Sequence, residues 1–112
     1  MAFKSAFIIM SPDGDPKKHR STVKTSKLEH ITVIVQLMNF DQAVDVCKDL
    51  AQNEGVQGFV LCPGFHHDAV ARIMGAVGPG VAVNVARGDL PSVKIGAEIF
   101  AKEGWFPEGE HG

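Results

Sequence analysis

The chain has 112 residues, of which 45% are hydrophobic and 21% charged, with 11 basic against 13 acidic side chains. This length predicts one domain with a single core, and the composition excludes disorder as a description of the whole chain. The near balance of charge excludes a general attraction to nucleic acid or to an anionic membrane. Two cysteines are too few for a disulfide framework, and no apolar run is long enough for a signal-peptide core or a membrane span, so we expect a cytoplasmic protein.

The first half of the chain predicts two strands and a helix. Residues 3–10 form a mostly apolar run, which predicts a strand covered on both faces. Residues 30–37 are rich in β-branched side chains and predict a second strand, and residues 40–54 predict a helix whose buried stripe includes Cys47. Residues 11–29 between the strands predict a long loop, either an anion-binding arm or a solvated surface segment. Its basic side chains are Lys17, Lys18, His19, Arg20, Lys24 and Lys27.

The second half repeats strand and helix twice. Residues 56–61 predict a third strand, and a glycine-containing turn at residues 62–65 leads into a helix that begins near residue 66. Residues 81–85 predict a fourth strand, and residues 92–103 predict the last helix, because Pro91 precedes a stretch with helical spacing. These elements alternate as expected for a chain that builds parallel strands.

The order of the elements predicts one α/β domain over residues 1–104, followed by a tail at residues 105–112. Successive strand–helix–strand units require parallel strands joined by right-handed crossovers. We therefore expect a sheet of about four mainly parallel strands with helices on both faces, flavodoxin-like or Rossmann-like in layout. Two large aromatic side chains in the tail, Trp105 and Phe106, are expected either to fold back on the domain or to pack on a second subunit of a homodimer.

Parallel strands bring the residues that follow them to one edge of the sheet, the carboxyl edge, where α/β proteins bind ligands. The candidate ligand-binding residues at this edge are Ser11, Asp13, Gly64, Phe65, His67 and Arg87. Backbone N–H groups at a helix start and an arginine guanidinium both favour anions. We therefore expect a small anionic metabolite, a carboxylate or a phosphate, as the ligand. No Gly-x-Gly-x-x-Gly run is present, so no dinucleotide cofactor is predicted.

Cys62 supports an alternative hypothesis, in which the protein is a small enzyme. This cysteine ends the third strand close to a helix start, where a thiolate is stabilised, and His66 or His67, four or five positions later, is the candidate base. The competing interpretation makes Cys62 a packing residue and the adjacent His66 and His67 parts of the helix start. Their spacing matches no metal-binding motif, so no metal site is predicted. A third hypothesis is a homo-oligomeric interaction module that uses the aromatic tail.

The segments AFIIMSPDGDPKKHR, GFVLCPGFHHDAVARIMGAVG and VAVNVARG resemble a family of short bacterial α/β proteins known only as a domain of unknown function. The resemblance extends to about residue 88. The matching positions are Cys62, Gly64 and Phe65 in the turn and Pro12, Asp15 and His19 in the first loop. The resemblance implies an α/β fold and supplies no activity, so it leaves open whether the protein is an enzyme.

Overall fold

A computed structural model describes residues 1–106, which contain a single five-stranded sheet and three helices. The strands are β1 (Phe3–Ser11), β2 (Arg20–Lys24), β3 (Leu28–Gln36), β4 (Gly58–Leu61) and β5 (Ala82–Val85). The helices are α1 (Phe40–Glu54), α2 (His67–Val77) and α3 (Leu90–Lys102). The strand order is β2-β3-β1-β4-β5, and only β2 runs antiparallel to its neighbour. The α/β class and the mainly parallel sheet are confirmed.

The core lies between one face of the sheet and the helices α1 and α2, which pack against each other. Alternate residues of β1 point to this face, and the register aligns Ile8 with Val33 on β3 and with Leu61 on β4. The helices bury Ala43, Cys47 and Leu50 from α1 and Ala69, Ile73 and Val77 from α2. Cys47 is completely buried, as the helical spacing predicted.

The opposite face of the sheet is covered by neither of these helices. The connections from β3 to β4 and from β4 to β5 both cross the sheet in the same direction, towards the β5 edge. Because such crossovers are right-handed, the helices α1 and α2 that they contain lie on the same face. The connection from β1 to β3 contains β2 instead of a helix. The two core helices therefore cover one face only, and neither the expected helices on both faces nor a flavodoxin-like layout is confirmed.

We call this uncovered surface the open face. Its apolar side chains include Phe3, Phe7 and Ile9 of β1, Ile34 of β3 and Val60 of β4. Phe3 and Ile9 are exposed, and the other three are half-buried. The open face also carries one polar pair, in which Ser5 Oγ and His30 Nδ1 lie 2.6 Å apart. His30 therefore lies inside β3, not at the start of the strand.

The expected loop at residues 11–29 contains the edge strand β2. All five residues of β2 are exposed, so their sequence has no apolar alternation and resembles a solvated loop. The loop is fixed at its start by Gly14, which lies against β3: a Cβ at this position would be 2.2 Å from the backbone oxygen of Val35. Only a glycine fits so close to another backbone.

The helix α3 stands apart from the core, because none of its residues is buried. Its exposed apolar side chains include Leu90, Val93, Ile95 and Ile99, which are between 51% and 86% exposed. Asp89 occupies the position before the helix but makes no side-chain hydrogen bond to it. Within residues 1–106, no helix is both long enough and apolar enough to cross a membrane.

Candidate functional site

An apolar cavity of about 810 Å³ opens at the carboxyl ends of β1 and β4, and α3 forms its other side. We call it the carboxyl-edge pocket. Its walls include Ile9, Met10, Met38, Cys62, Pro63, Gly64, Arg87, Asp89, Val93, Phe100, Trp105 and Phe106. The pocket lies at the edge of the sheet where the sequence places a ligand, but most of its wall is apolar.

The turn after β4 forms one wall of the pocket. The N–H of Cys62 donates to the backbone oxygen of Ile8 at 3.0 Å, which fixes the end of β4 beside β1. The N–H of Phe65 donates back to the backbone oxygen of Cys62 at 3.2 Å and closes the turn. At Gly64 a Cβ would lie 2.7 Å from Cε of Met10, so the glycine allows the methionine to lie directly on the turn.

Aromatic rings from the end of α3 form the opposite wall. The rings of Phe100 and Trp105 are stacked, with their centroids 4.4 Å apart, and Phe106 meets Phe100 edge-on at 6.4 Å. The N–H of Trp105 donates to the backbone oxygen of Phe100 at 2.9 Å, which folds the chain back at the helix end. These aromatic residues therefore pack on the end of α3, and their expected role in pairing two subunits stays a prediction.

The rim of the pocket carries one ion pair. Arg87 Nε donates to Asp89 Oδ1 at 2.7 Å, and both side chains are largely exposed. Among the described residues, Nε is the only nitrogen of this guanidinium with a hydrogen bond, so its other N–H groups remain available for a ligand oxygen. A guanidinium binds a carboxylate through two parallel hydrogen bonds, which suits it to hold an acid group at the mouth of an apolar cavity.

Ser11 and Asp13 form a local contact next to β1 and do not line the pocket. Ser11 Oγ donates to Asp13 Oδ1 at 2.6 Å, and this hydrogen bond lowers the pKa of the Asp13 carboxyl, which keeps it ionised. The backbone oxygen of Ser11 accepts from the N–H of Gly14 at 3.0 Å. The pair thus stabilises the turn after β1, and its role in ligand binding stays a prediction.

Two of the predicted site residues around the start of α2 have structural roles in packing and helix capping. Phe65 is almost completely buried, and its ring meets that of Phe40 at 5.8 Å. His66 is the N-cap of α2: its Nδ1 accepts from the N–H of Ala69 at 3.2 Å, and its ring lies 4.3 Å from Phe40. His67 is the exposed first residue of the helix.

The pocket therefore brings together three of the predicted site residues, Cys62, Gly64 and Arg87. It includes neither His66 nor His67, so Cys62 shares this cavity with neither candidate base. The two cysteines also differ: burial raises the pKa of the Cys47 thiol to about 12, while Cys62 lies at the pocket wall with 8% of its surface exposed. Cys47 is accordingly an inert packing residue.

The apolar walls are the part of the site that sequence reasoning missed. Sequence motifs point to polar and reactive side chains, whereas Met38, Val93 and Phe100 contribute apolar surface. One signal was present, because the last helix carries more apolar residues than one buried stripe needs. Met38 also has a backbone φ of 63°, in the left-handed region that residues other than glycine rarely adopt. Such strained positions cluster at functional sites.

The basic loop does not reach the carboxyl-edge pocket. Lys17 and Arg20 instead line a separate groove of about 740 Å³ beside α1, together with Asp45 and Asp49. Arg20 holds both carboxylate oxygens of Glu54, and this contact lowers the pKa of the Glu54 carboxyl. Its lining contains both acidic and basic side chains, so the groove offers no concentrated positive surface for an anion.

Together, the mixed sheet, its single layer of core helices and its apolar pocket define a small α/β protein. No group of three or more histidine, cysteine or acidic side chains within residues 1–106 is arranged to hold a metal ion. The chain belongs to the family of unknown function DUF6506, whose model matches residues 3–101, and the resemblance to a domain of unknown function is thereby confirmed. Comparisons with curated proteins and with solved structures gave no match.

Proposed function

We propose that this protein binds a small organic anion with an apolar body in the carboxyl-edge pocket. The observation that carries the proposal is the pocket itself, an apolar cavity of about 810 Å³ with one arginine at its rim. Ligand pockets typically enclose about 300–1,000 Å³ and combine apolar walls with a few polar groups that orient the ligand. This cavity fits that description.

The polar groups favour an acid over a phosphate-rich ligand. Arg87 supplies the only cationic side chain among the described residues that line the pocket. The start of α2 is a poor anion site, because His66 caps it and Asp68 lies in its first turn. A single carboxylate that replaces Asp89 as the partner of Arg87, with its hydrocarbon part against Phe100, uses both features of the pocket.

Trp105 makes this proposal testable by fluorescence, because it is the only tryptophan of the chain and lines the pocket. We expect octanoate to change its emission in a saturable way. Octanol, which has the same chain length without the charge, should bind about tenfold or more weakly, since a hydrogen bond to a charged group contributes roughly 1.5–3 kcal/mol. Failure of octanoate and of longer and aromatic carboxylates to change the emission would contradict the proposal.

The charge requirement is tested by Arg87→Gln, which should reduce the affinity for octanoate to that for octanol. Arg72→Gln is the matched control, because Arg72 is an exposed arginine that pairs with Asp41 and does not line the pocket. An equal loss of affinity in both variants, or in neither, would show that Arg87 does not bind the carboxylate.

The alternative enzyme hypothesis is favoured by one observation, the position of Cys62 in the pocket wall. It requires a thiol that reacts readily, whereas the Nδ1 of the expected base, His66, is occupied by the helix cap. Alkylation by iodoacetamide at pH 7, located by peptide mass, measures this directly. A Cys62 that reacts no faster than free cysteine would remove the thiolate mechanism, and protection of a reactive Cys62 by octanoate would place it in the occupied pocket.

A further inference from the structure

We propose that the open face of the sheet is covered by α3 of a second copy of this chain, so that two chains exchange their last helices in a symmetric dimer. The described part of the molecule contains one apolar helix without buried residues and one apolar sheet surface that neither core helix covers. A reciprocal contact between them, closed by a two-fold axis, covers both surfaces in both chains.

The helix α3 has more apolar surface than its own chain uses. Successive residues are about 100° apart around a helix, which places Val93, Gly96 and Phe100 on the side that lines the pocket. Ile95 and Ile99 lie on a neighbouring side, where they are 58% and 52% exposed. A helix that is apolar around most of its circumference is normally buried. Ile95 and Ile99 therefore need a partner surface.

The open face provides a surface of suitable width and character. Phe7 on β1 lies beside Val60 on β4, and Ile9 lies beside Ile34 on β3. Strands are about 4.8 Å apart, so β3, β1 and β4 together span about 10 Å, which is the diameter of one helix. The ring of Phe3 lies over Gly58, where a Cβ would be only 2.8 Å from the ring, and half of the Phe3 side chain remains exposed.

The accessible surface supports an interface of ordinary size. The chain exposes 7369 Å², whereas a folded monomer of 12.0 kDa exposes about 6,000 Å². If residues 107–112 are assigned the full surface of an unfolded chain, about 900 Å², then residues 1–106 expose about 6,500 Å², whereas a folded chain of their mass exposes about 5,800 Å²; an excess of about 700 Å² remains. Each partner in a standard interface buries roughly 800 Å². The excess is thus about what one subunit would bury in a stable dimer.

The chain's own α3 reaches only the carboxyl end of the open face, where Ile9 lines the pocket with Val93 and Phe100, and no other described segment covers the rest. Residues 107–112 have the sequence PEGEHG, which contains no large apolar side chain. The connection between β1 and β3, where a covering helix would belong, contains the polar edge strand β2 instead. A second copy supplies a helix of 13 residues with the exposed pair Ile95 and Ile99, which matches the missing layer.

Sedimentation velocity of the full chain between 1 and 100 µM tests the assembly. We expect a dimer, which Ile95→Glu combined with Ile99→Glu should convert to a folded monomer by weakening association at least a hundredfold. Lys94→Glu is the control, because position 94 lies about 100° around the same helix from Ile95 and about 140° from Ile99, so it should leave the dimer intact. A monomeric wild-type protein at 100 µM, or a dimer that survives the isoleucine substitutions, would overturn the proposal.

Disulfide trapping distinguishes helix exchange from other dimers. In a Cys62→Ser background, one chain carries Phe3→Cys and the other carries Ile99→Cys, both at exposed positions. Exchange predicts that a covalent dimer forms rapidly when the two variants are mixed and slowly in either variant alone. Rapid bonding in Ile99→Cys alone would indicate helix-to-helix pairing, and rapid bonding in Phe3→Cys alone would indicate face-to-face pairing. Either result would overturn the exchange.

Discussion

The helices α2 and α3 follow neighbouring strands at the same edge of the sheet, yet they are held in place very differently. α2 has 11 residues, buries Ala69, Ile73 and Val77, and is capped by the side chain of His66. α3 has 13 residues, buries none of them and has no side-chain cap. Both sequences have helical spacing of apolar residues.

This difference shows that apolar spacing predicts a helix but not what the helix packs against. Isolated helices of fewer than about 12–15 residues are marginal in water, so tertiary packing supplies most of the stability of a helix such as α2. Within a single chain α3 lacks this stabilisation by tertiary packing. The stability of α3 should therefore depend on a bound ligand or on a second chain, and the following experiments test the contrast with α2.

The largest difference should appear in amide hydrogen exchange. At dilutions where single chains dominate, we expect α2 to exchange only through global unfolding, which costs roughly 5–15 kcal/mol, and α3 through local opening that costs little. The amide rates should then differ by more than about a thousandfold. Mass spectrometry of peptides from residues 67–77 and 90–102 measures both, and equal protection in dilute protein would remove the contrast.

The second largest difference should appear when one isoleucine of each helix is replaced by alanine and the free energy of unfolding is measured. Ile73→Ala leaves a cavity in the core and should lower the free energy of unfolding by about 2–5 kcal/mol. Ile99→Ala removes an exposed side chain and should change it by less than about 0.5 kcal/mol in dilute protein. Urea unfolding followed by circular dichroism measures both, and a large effect of Ile99→Ala at low concentration would show that α3 packs within its own chain.

The pH dependence of the free energy of unfolding should show that the Cys47 thiol of α1 is buried. Burial raises the Cys47 pKa from 9.0 to about 12, so the folded protein retains this proton to higher pH than the unfolded chain does. The associated stability is complete below about pH 9 and is lost as the pH rises towards 12, at up to about 1.4 kcal/mol per pH unit. Cys47→Ala should flatten this slope in urea unfolding between pH 8 and 10.5, and an unchanged slope would mean that other groups cause it.

The smallest effect should come from glycines inside the helices. A Cβ at Gly75 of α2 would meet nothing within 4 Å, and at Gly96 of α3 it would only touch the Phe100 ring at 4.0 Å. Gly75→Ala should therefore stabilise the protein by about 0.5–1 kcal/mol through helix propensity. Gly96→Ala should raise helix content and hardly change the unfolding midpoint in dilute protein. Equal gains would show that α3 unfolds together with the core.

The sequence predicted the core elements because they are the ones that bury apolar side chains. The apolar stripe through Cys47 and the apolar run through Ile8 predict a helix and a buried strand, and both residues lie in the core cluster. The strand β2 escaped detection because all its residues are exposed and four of the five are polar. The uncovered face depends on strand order, which sequence spacing does not encode. The pocket depends on where α3 lies, so only Cys62, Gly64 and Arg87 could be placed in it beforehand.

The central position of β1 in the sheet affects how the protein emerges from the ribosome. Ile8 pairs with Val33 on one side and with Leu61 on the other, so β1, which is made before both partner strands, has no complete partner until β4 has been made. At about 5–20 residues per second, the chain between Ile8 and Leu61 takes roughly 3–10 s to synthesise. Until then the apolar segment AFIIM lacks one of its two partner strands, which favours aggregation and chaperone binding of the nascent chain.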